Sequence, residues 1–145
     1  MAVVRNFKYD DLDRIAEIVS SSLGEYYPKS IYLERSSAWE NGFIVGVEDG
    51  RVIAMLLGIV QGKFETRILM FAVDKAYRNR GIGYEMMQRF IDLSVSKGAT
   101  KISLEVRRSN LDAIRFYEKF GFRNTGVLFM YYSDMEDGLK MAKTL

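Results

Sequence analysis

The six residues Arg78-Asn79-Arg80-Gly81-Ile82-Gly83 carry the clearest chemical signal in the sequence. They follow an apolar run that ends at Val73 and precede a helical pattern that reaches about Lys97. Glycines let a ligand approach the backbone closely, and the N–H groups at a helix start attract anions. Two arginines add fixed positive charge in a fork that matches phosphate oxygens. The turn is interpreted as an anion site suited to a pyrophosphate, with a basic surface turn that caps a helix as the alternative.

Two other phosphate-binding loops do not fit this turn. A dinucleotide fingerprint needs a third glycine three residues after the second, where the chain has Met86. A nucleotide-triphosphate loop needs Gly-Lys-Ser or Gly-Lys-Thr, and neither occurs in the sequence.

Length and composition favour one globular domain that spans residues 1–145. The 48% hydrophobic content and the single proline are typical of a compact fold. The net charge of +2 gives little reason to expect a nucleic-acid partner.

The absent residue types narrow the chemistry further. The chain has no Cys, so it has no thiolate nucleophile and no thiolate zinc site. It has no His, the commonest general base and metal ligand. Acid–base chemistry must use Asp, Glu, Tyr, Lys or water, and no metal is expected. No stretch reads as a signal peptide or a membrane span, so we expect a cytoplasmic protein without a membrane partner.

Apolar periodicity predicts an α/β (α+β) fold with a mixed sheet of about seven strands and four helices. The predicted order is strand, two helices, three strands, helix, strand, helix, two strands. The expected strands are 2–7, 43–47, 52–60, 64–73, 101–106, 127–132 and 139–145, and the expected helices are 12–23, 30–41, 81–97 and 111–120. Trp39 is expected among the apolar residues of the second helix, and Val95 in the buried stripe of the third.

The third helix is predicted to cross over between strands 64–73 and 101–106, which should therefore be parallel neighbours. Ligands of open α/β sheets gather at the carboxyl ends of such strands. At this edge of the sheet, the glycine turn follows strand 64–73, and residues 107–110 follow strand 101–106.

Three segments resemble a known family. Arg78-x-x-Gly81-x-Gly83 after an apolar strand is similar to the acetyl-coenzyme A signature of the GNAT superfamily of N-acetyltransferases. The run from Leu104 to Phe122, LEVRxxNxxAIxxYExxGF, resembles the protein N-terminal acetyltransferases, which include RimI-like bacterial enzymes and Ard-type subunits. The loop Leu23–Pro28 resembles their L-P-E-N-Y-P loop, with Gly24 in place of proline.

The resemblance implies the GNAT fold and transfer of an acetyl group from acetyl-CoA to an amine, above all the α-amino group of a protein N-terminus. It implies direct attack, and the lack of cysteine agrees with that. The residues implied to bind the cosubstrate are Phe71, Ala72, Val73, Arg78, Asn79, Arg80, Gly81, Ile82, Gly83, Asn110 and Tyr117.

Three residues are candidates for the chemistry. Tyr117, with an ordinary pKa of about 10, can protonate a leaving thiolate whose conjugate acid has a pKa of about 8.5; the alternative is a core aromatic. Glu105 can act through water as general base; the alternative is an exposed strand glutamate paired with an arginine. Glu25 is the rival base or a substrate-orienting carboxylate.

Glu25, Tyr27, Tyr131 and Tyr132 are expected to bind the first residues of a peptide, with plain surface packing as the alternative for the tyrosines. One residue departs from the family pattern: Arg67 stands where Ard-type relatives often have histidine. An arginine cannot accept a proton at neutral pH, so the proton path of those relatives cannot be transferred whole.

Two other functions stay open. The chain could acetylate a polyamine, an antibiotic amine or a lysine, in which case Asp134, Glu136 and Asp137 could form an acidic pocket. It could also be a coenzyme A-binding module without catalysis. The expected partner is a protein or peptide N-terminus, with proximity to the ribosome and a monomer or homodimer as further expectations.

Overall fold

The computed structural model describes residues 2–145 and contains seven strands and four α-helices in that range. The strands are β1 (Ala2–Asn6), β2 (Phe43–Glu48), β3 (Arg51–Gln61), β4 (Glu65–Val73), β5 (Lys101–Arg107), β6 (Arg123–Leu128) and β7 (Gly138–Thr144). The helices are α1 (Leu12–Leu23), α2 (Lys29–Ala38), α3 (Ile82–Ser96) and α4 (Leu111–Lys119). The element order and the mixed pairing of strands confirm the predicted fold class.

The chain divides into two compact units. The first comprises the residues up to Ile59 together with Leu69–Leu93, and the second comprises Val60–Ile68 and Ser94–Leu145. Strand β4 contributes its first residues to the second unit and its last residues to the first. No helix within residues 2–145 is long and apolar enough to span a membrane.

The first unit has the strand order β1-β2-β3-β4. Antiparallel pairs join β1 to β2 and β2 to β3, and the tight turn between the latter places Asp49 and Gly50 at positive φ. The apolar stripe of α1 packs with side chains from the sheet, and this core includes Ile15, Phe43 and Met55, all less than 1% exposed. Helix α1 ends at Gly24 (φ 66°), as predicted.

Helix α3 packs against β2 and β3 at two glycines. The Ile82 side chain lies over Gly46, and the Phe90 ring lies over Gly58, in positions that a Cβ atom would occupy. The helix can approach the strands this closely because both residues lack a side chain.

The second unit has the strand order β4-β5-β7-β6. The first residues of β4 pair in parallel with β5, from Glu65 opposite Lys101 to Ile68 opposite Leu104. The parallel neighbours predicted from the crossover helix are thereby confirmed. Strand β7 pairs antiparallel with both β5 and β6.

Three details of the predicted elements are wrong. Trp39 lies after α2 and packs against Phe90, because its backbone (φ −152°) has left the helix. Val95 is 56% exposed, and Ser94 takes the buried place, where its hydroxyl bonds to that of Thr66 (2.8 Å). The penultimate strand is 123–128 rather than 127–132, since the chain leaves the sheet at residue 129 and turns with Met130 at positive φ.

Candidate functional site

The turn after β4 is anchored at its start by Asp74. The Asp74 carboxylate accepts a hydrogen bond from the amide of Ala76 (2.9 Å) and is ion-paired with Arg14. These two partners hold the pKa of Asp74 below its ordinary value of 3.8. The amide of Asp74 donates to the carbonyl of Ile53 (2.7 Å). The chain therefore leaves β4 in a fixed direction.

The backbone of the turn has the geometry of an anion site. Asn79 and Gly81 have positive φ, 64° and 89°. Helix α3 begins at Ile82, and its first turn is closed by a bond from the Glu85 amide to the Gly81 carbonyl (3.1 Å). The amides of Ile82 and Gly83 precede this ladder, at the positive end of the helix dipole. These groups can bind a phosphate.

The two arginines of the turn make different contacts. Arg78 donates from Nε to the carbonyl of Val73 (3.1 Å), so it braces the turn from within. Arg80 is ion-paired with Glu48 (3.2 Å), and its Cζ lies 5.2 Å from the ring centroid of Tyr77. Both arginines are exposed, so their remaining donors can reach a ligand in solvent.

Residues 69–73 of β4 lie beyond the parallel register with β5, which ends at Ile68 in the described part of the chain. Ala72 is 5% exposed and packs into the core of the first unit, whereas Phe71 and Val73 are half-buried. An extended backbone of this kind can pair with a ligand as with an added strand.

Glu25 and Tyr27 lie in the loop between α1 and α2 and contact each other. The Tyr27 hydroxyl donates to the Glu25 carboxylate, and its ring meets that of Tyr32 edge-on at 6.4 Å. Tyr27 is half-buried against the core. Burial, and then the charges of Glu25 and Tyr26, raise the pKa of Tyr32. The Tyr27 ring is thus partly structural, as the packing alternative supposed.

In the second unit, Glu105 is paired with Arg67. The Glu105 side chain is only 12% exposed. The alternative interpretation of this residue was therefore right about an arginine partner and wrong about exposure. A nearly buried carboxylate whose charge is compensated can serve as a proton acceptor held in place.

Tyr117 is buried in α4 and is 8% exposed. Its ring packs edge-on against Phe116 and Phe122, each at 5.6 Å between centroids. Burial, and then the charge of Tyr132, raise the pKa of the Tyr117 phenol. The phenol therefore keeps its proton at neutral pH, and the residue is a core aromatic as well as a candidate donor.

Asn110 caps α4, as predicted. Its Oδ1 accepts a hydrogen bond from the amide of Ala113 (3.2 Å). The side-chain amide nitrogen is not used in that contact.

Tyr131 and Tyr132 lie in the loop after β6, with their rings perpendicular at 5.1 Å. The guanidinium of Arg107 lies 4.2 Å from the ring centroid of Tyr132. The same Arg107 bonds to Asp134 and to Glu136, both at 2.9 Å.

The acidic residues of this loop are paired with two arginines. The amide of Glu136 and the guanidinium of Arg107 lower the pKa of Asp134. The Ser109 side chain, and then Arg107, lower the pKa of Glu136, whose carboxylate also accepts a hydrogen bond from the Ser109 amide (3.0 Å). Asp137 pairs with Arg108 (3.2 Å). Two arginines thus face three carboxylates, so one negative charge of the loop stays uncompensated by these pairs.

Residues 12–122 match the model of the acetyltransferase (GNAT) family. The chain belongs to this family. The match includes the turn at residues 78–83 and the run from Leu104 to Phe122, so it confirms the resemblance and the prediction of an N-acetyltransferase enzyme.

Relatives match the GNAT chain over nearly its full length. An N-alpha-acetyltransferase of Sulfurisphaera tokodaii is 32% identical over 98% of this chain and 92% of that protein. The catalytic subunit NAA20 of the N-terminal acetyltransferase B complex of Arabidopsis thaliana is 32% identical over 100% of this chain and 86% of the subunit. The crystal structure of Ard1 from Thermoplasma volcanium superposes with a TM-score of 0.96, at 35% identity over 99% of this chain and 97% of Ard1.

Within each unit, the structure brings some of the predicted GNAT site residues into contact. Glu25 contacts Tyr27. Arg67 pairs with Glu105, and the same guanidinium nitrogen lies 3.5 Å from the hydroxyl oxygen of Tyr131. Sequence reasoning identified Arg67 only as a departure and missed its partner. Part of the signal was present, because β4 and β5 were predicted to be parallel neighbours and carry the oppositely charged residues Arg67 and Glu105, but the register that brings these two together was not predicted.

Proposed function

We propose that this GNAT enzyme transfers the acetyl group of acetyl-CoA to the α-amino group of a protein or peptide N-terminus. The observation that carries the proposal is the full-length similarity to proteins named for this activity, an N-alpha-acetyltransferase and an N-terminal acetyltransferase subunit.

The turn at residues 78–83 would hold the cosubstrate by its pyrophosphate. Its helix-start amides, positive-φ backbone and exposed arginines fit a doubly charged anion. The backbone of Phe71, Ala72 and Val73 would pair with the pantetheine arm. Asn110 would use its side-chain nitrogen toward the same group.

When bound, acetyl-CoA supplies an acetyl thioester that a neutral amine can attack directly, with the C–S bond breaking after the new C–N bond forms. Glu105 accepts the proton of the amine through an ordered water, for the about 10²–10⁴-fold gain of general base catalysis. Glu25 is the second candidate for this role. No cysteine is available for an acyl-enzyme.

Tyr117 acts on the leaving group. Its raised pKa keeps the proton on Oη, and full transfer to a thiolate whose conjugate acid has a pKa of about 8.5 would be uphill. The phenol therefore serves as a hydrogen-bond donor to the departing sulfur, which takes its proton finally from solvent. Tyr27, Tyr131 and Tyr132 contribute to the binding of the first residues of the peptide.

The whole chain works as one acetyltransferase domain, residues 1–145. The family match supports this, since residues 12–122 include parts of both compact units. The enzyme acts in the cytoplasm, where acetyl-CoA and newly made N-termini occur, and it meets its substrates near the ribosome as a monomer or homodimer.

The test uses acetyl-CoA and two matched peptides, with the products identified by mass spectrometry. One peptide has a free N-terminus and no lysine; the other has a blocked N-terminus and one lysine. We expect acetylation of the first alone. Acetylation confined to the lysine peptide or to spermine would contradict the N-terminal assignment, and coenzyme A binding without transfer to any amine would favour the non-catalytic module.

A further inference from the structure

Arg67 lies at the centre of a polar cluster in the second unit. Its Nη2 is paired with Oε1 of Glu105 and lies 3.5 Å from the phenolic oxygen of Tyr131. Its Nη1 donates to Oε1 of Gln61 (3.3 Å). Three groups on different elements thus hold one guanidinium.

One donor of Arg67 is left over. The Nε–H is buried and has no hydrogen-bond partner among residues 2–145. Buried polar groups are nearly always hydrogen-bonded, so a water is the ordinary partner of this donor.

Gln61 ties the cluster to a second carboxylate. Its Nε2 donates to Glu65 (2.7 Å), which also accepts a bond from the Ser103 hydroxyl (2.7 Å) and pairs with Lys101 (3.5 Å). Burial opposes ionisation of Glu65, but Ser103 and Lys101 outweigh it and lower the Glu65 pKa below its ordinary 4.5. With its amide nitrogen held in this way, Gln61 fixes one side of the guanidinium while Glu105 occupies the other.

We propose that Arg67 is a positioning residue, which holds the carboxylate of Glu105 in one orientation for proton transfer from the attacking amine. The inference rests on the proposed function, in which Glu105 receives that proton through water. The pair engages Oε1 of Glu105, so Oε2 is the oxygen that receives the proton. Arg67 itself has no acceptor and stays charged. It therefore fixes the base, whereas a histidine at this position could join the proton path.

The first experiment compares Arg67→Met with wild type in steady-state kinetics. Misplacing a catalytic group by about 1 Å costs about 10²-fold, so we expect kcat to fall about 10- to 100-fold. The KM and Kd for acetyl-CoA should stay within about twofold, because none of the three residues that Arg67 contacts, Gln61, Glu105 and Tyr131, is proposed to bind acetyl-CoA. Tm should fall by several degrees, because Glu105, whose side chain is 12% exposed, loses its ion partner, so the assay is run well below the Tm of the variant. The control is Arg115→Met, which removes an arginine that is 68% exposed on α4, and it should behave as wild type.

A second comparison tests whether Gln61 acts through Arg67. We expect Gln61→Leu to lower kcat about 3- to 10-fold, less than Arg67→Met, since Glu105 still holds the guanidinium. The double variant should match Arg67→Met alone, because residues that act as a unit are not additive. Multiplying effects would overturn the shared role, as would a kcat for Arg67→Met within twofold of wild type or a loss explained by weaker acetyl-CoA binding.

The experiments separate this inference from the proposed function. If the wild type acetylates lysine or a polyamine but no N-terminus, the proposed function fails, and the same variants are compared on that amine. A readout without turnover is the ¹⁵N–¹H spectrum of the arginine side chains. We expect separate, slowly exchanging Nη signals for Arg67 and averaged signals for Arg115. Averaged Arg67 signals in the wild type would overturn the fixed pair whatever the acceptor.

Discussion

At the scale of single residues, Tyr117 combines two roles that the sequence presents as alternatives. Its ring fills the core between Phe116 and Phe122, while burial raises its pKa and keeps the phenol protonated. The packing depends on the ring, and the hydrogen bond to the leaving sulfur depends on the hydroxyl. Removing the hydroxyl oxygen alone therefore tests the second role without disturbing the first.

Tyr117→Phe should therefore lower kcat about 10- to 100-fold, at the low end of general acid–base effects, with the Kd for acetyl-CoA nearly unchanged. The measurement is steady-state kinetics together with calorimetric titration of acetyl-CoA. Tyr9→Phe, at a tyrosine that is 64% exposed, is the matched control. An unchanged rate would remove Tyr117 from the chemistry. A loss of rate between pH 8 and 9.5 that disappears in the variant would contradict the raised pKa of Tyr117, because a phenol whose pKa is raised by burial stays protonated in that range.

The pairing of Arg67 with Glu105 shows where residue-level prediction stops. The sequence places both residues on neighbouring strands, but the contact depends on a register in which Arg67 lies opposite Ser103. Glu105 is two residues further along β5 and on the same face, so the long guanidinium can reach it. A shift of one residue would turn Glu105 to the other face, and apolar patterning alone does not fix parallel register to that accuracy.

At the scale of elements, the turn at residues 78–83 depends on the conformation of Gly81. A Cβ atom at Gly81 would meet nothing within 4 Å, so the glycine is required by its φ of 89° and not by crowding. Gly98, at the other end of α3, has the same combination, with a φ of 91° and open space.

Gly81→Ala and Gly98→Ala form a matched pair of variants. Each should lose about 1–2 kcal/mol of unfolding free energy, because an L-residue is strained at this φ. Only Gly81→Ala should also weaken acetyl-CoA binding, since only that turn is proposed to hold the pyrophosphate. Urea unfolding and calorimetric titration measure the two effects. Equal affinities in the two variants would argue against the turn as the cofactor site.

Helix α3 depends on a different property of glycine. A Cβ at Gly58 would lie 2.2 Å from the ring of Phe90, so Gly58→Ala must displace the ring or the helix. We expect a loss of about 1–3 kcal/mol, the usual cost of overpacking. Gly126→Ala in β6, where the space is open, should change the unfolding free energy far less. A similar loss in both variants would point to strand flexibility as the cause.

Elements with strong local signals were predictable, and those set by tertiary packing were not. Gly24 and Asn110 mark helix ends by their own chemistry and were predicted correctly. The burial of Ser94 in place of the predicted Val95 could not be predicted, because it depends on a hydrogen bond to the hydroxyl of Thr66 on another element. The start of β6 was missed because its first four residues are exposed and show no alternation.

At the scale of the whole molecule, the order of the elements along the chain was enough to predict the fold class. It was not enough to predict which of the last two strands lies next to β5 in the sheet. A terminal hairpin can join a sheet by either strand. Strand β7 has two buried residues, Gly138 and Met141, whereas β6 has none, so burial selects β7 as the partner of β5. This difference in burial cannot be read from the sequences of β6 and β7, because it depends on which strands lie beside them.

Stability against acid should depend on carboxylates in both units. The pKa of Asp11 lies below its ordinary 3.8: burial opposes ionisation, but Arg5 and the Lys8 amide outweigh it. Glu65 and Asp74 are also lowered. A lowered folded-state pKa contributes stability above the unfolded value, and that contribution is lost as the pH falls through the folded one. We therefore expect a constant unfolding free energy from pH 7 to about 5 and a steep fall below about 4.

Urea unfolding from pH 3 to pH 7 measures this profile, and Arg5→Met tests its cause. Without Arg5, the Asp11 carboxylate, 8% exposed, keeps its burial and loses its ion partner. Unfolding free energy at pH 7 should fall by about 1–3 kcal/mol, the cost of an unsatisfied buried group. The drop below pH 4 should then become shallower, because the pKa of Asp11 is no longer held down by Arg5. Lys29→Met removes a pair whose side chains are 54% and 82% exposed, and it should leave the profile unchanged. A profile for Arg5→Met parallel to that of wild type would show that the acid sensitivity arises from other carboxylates.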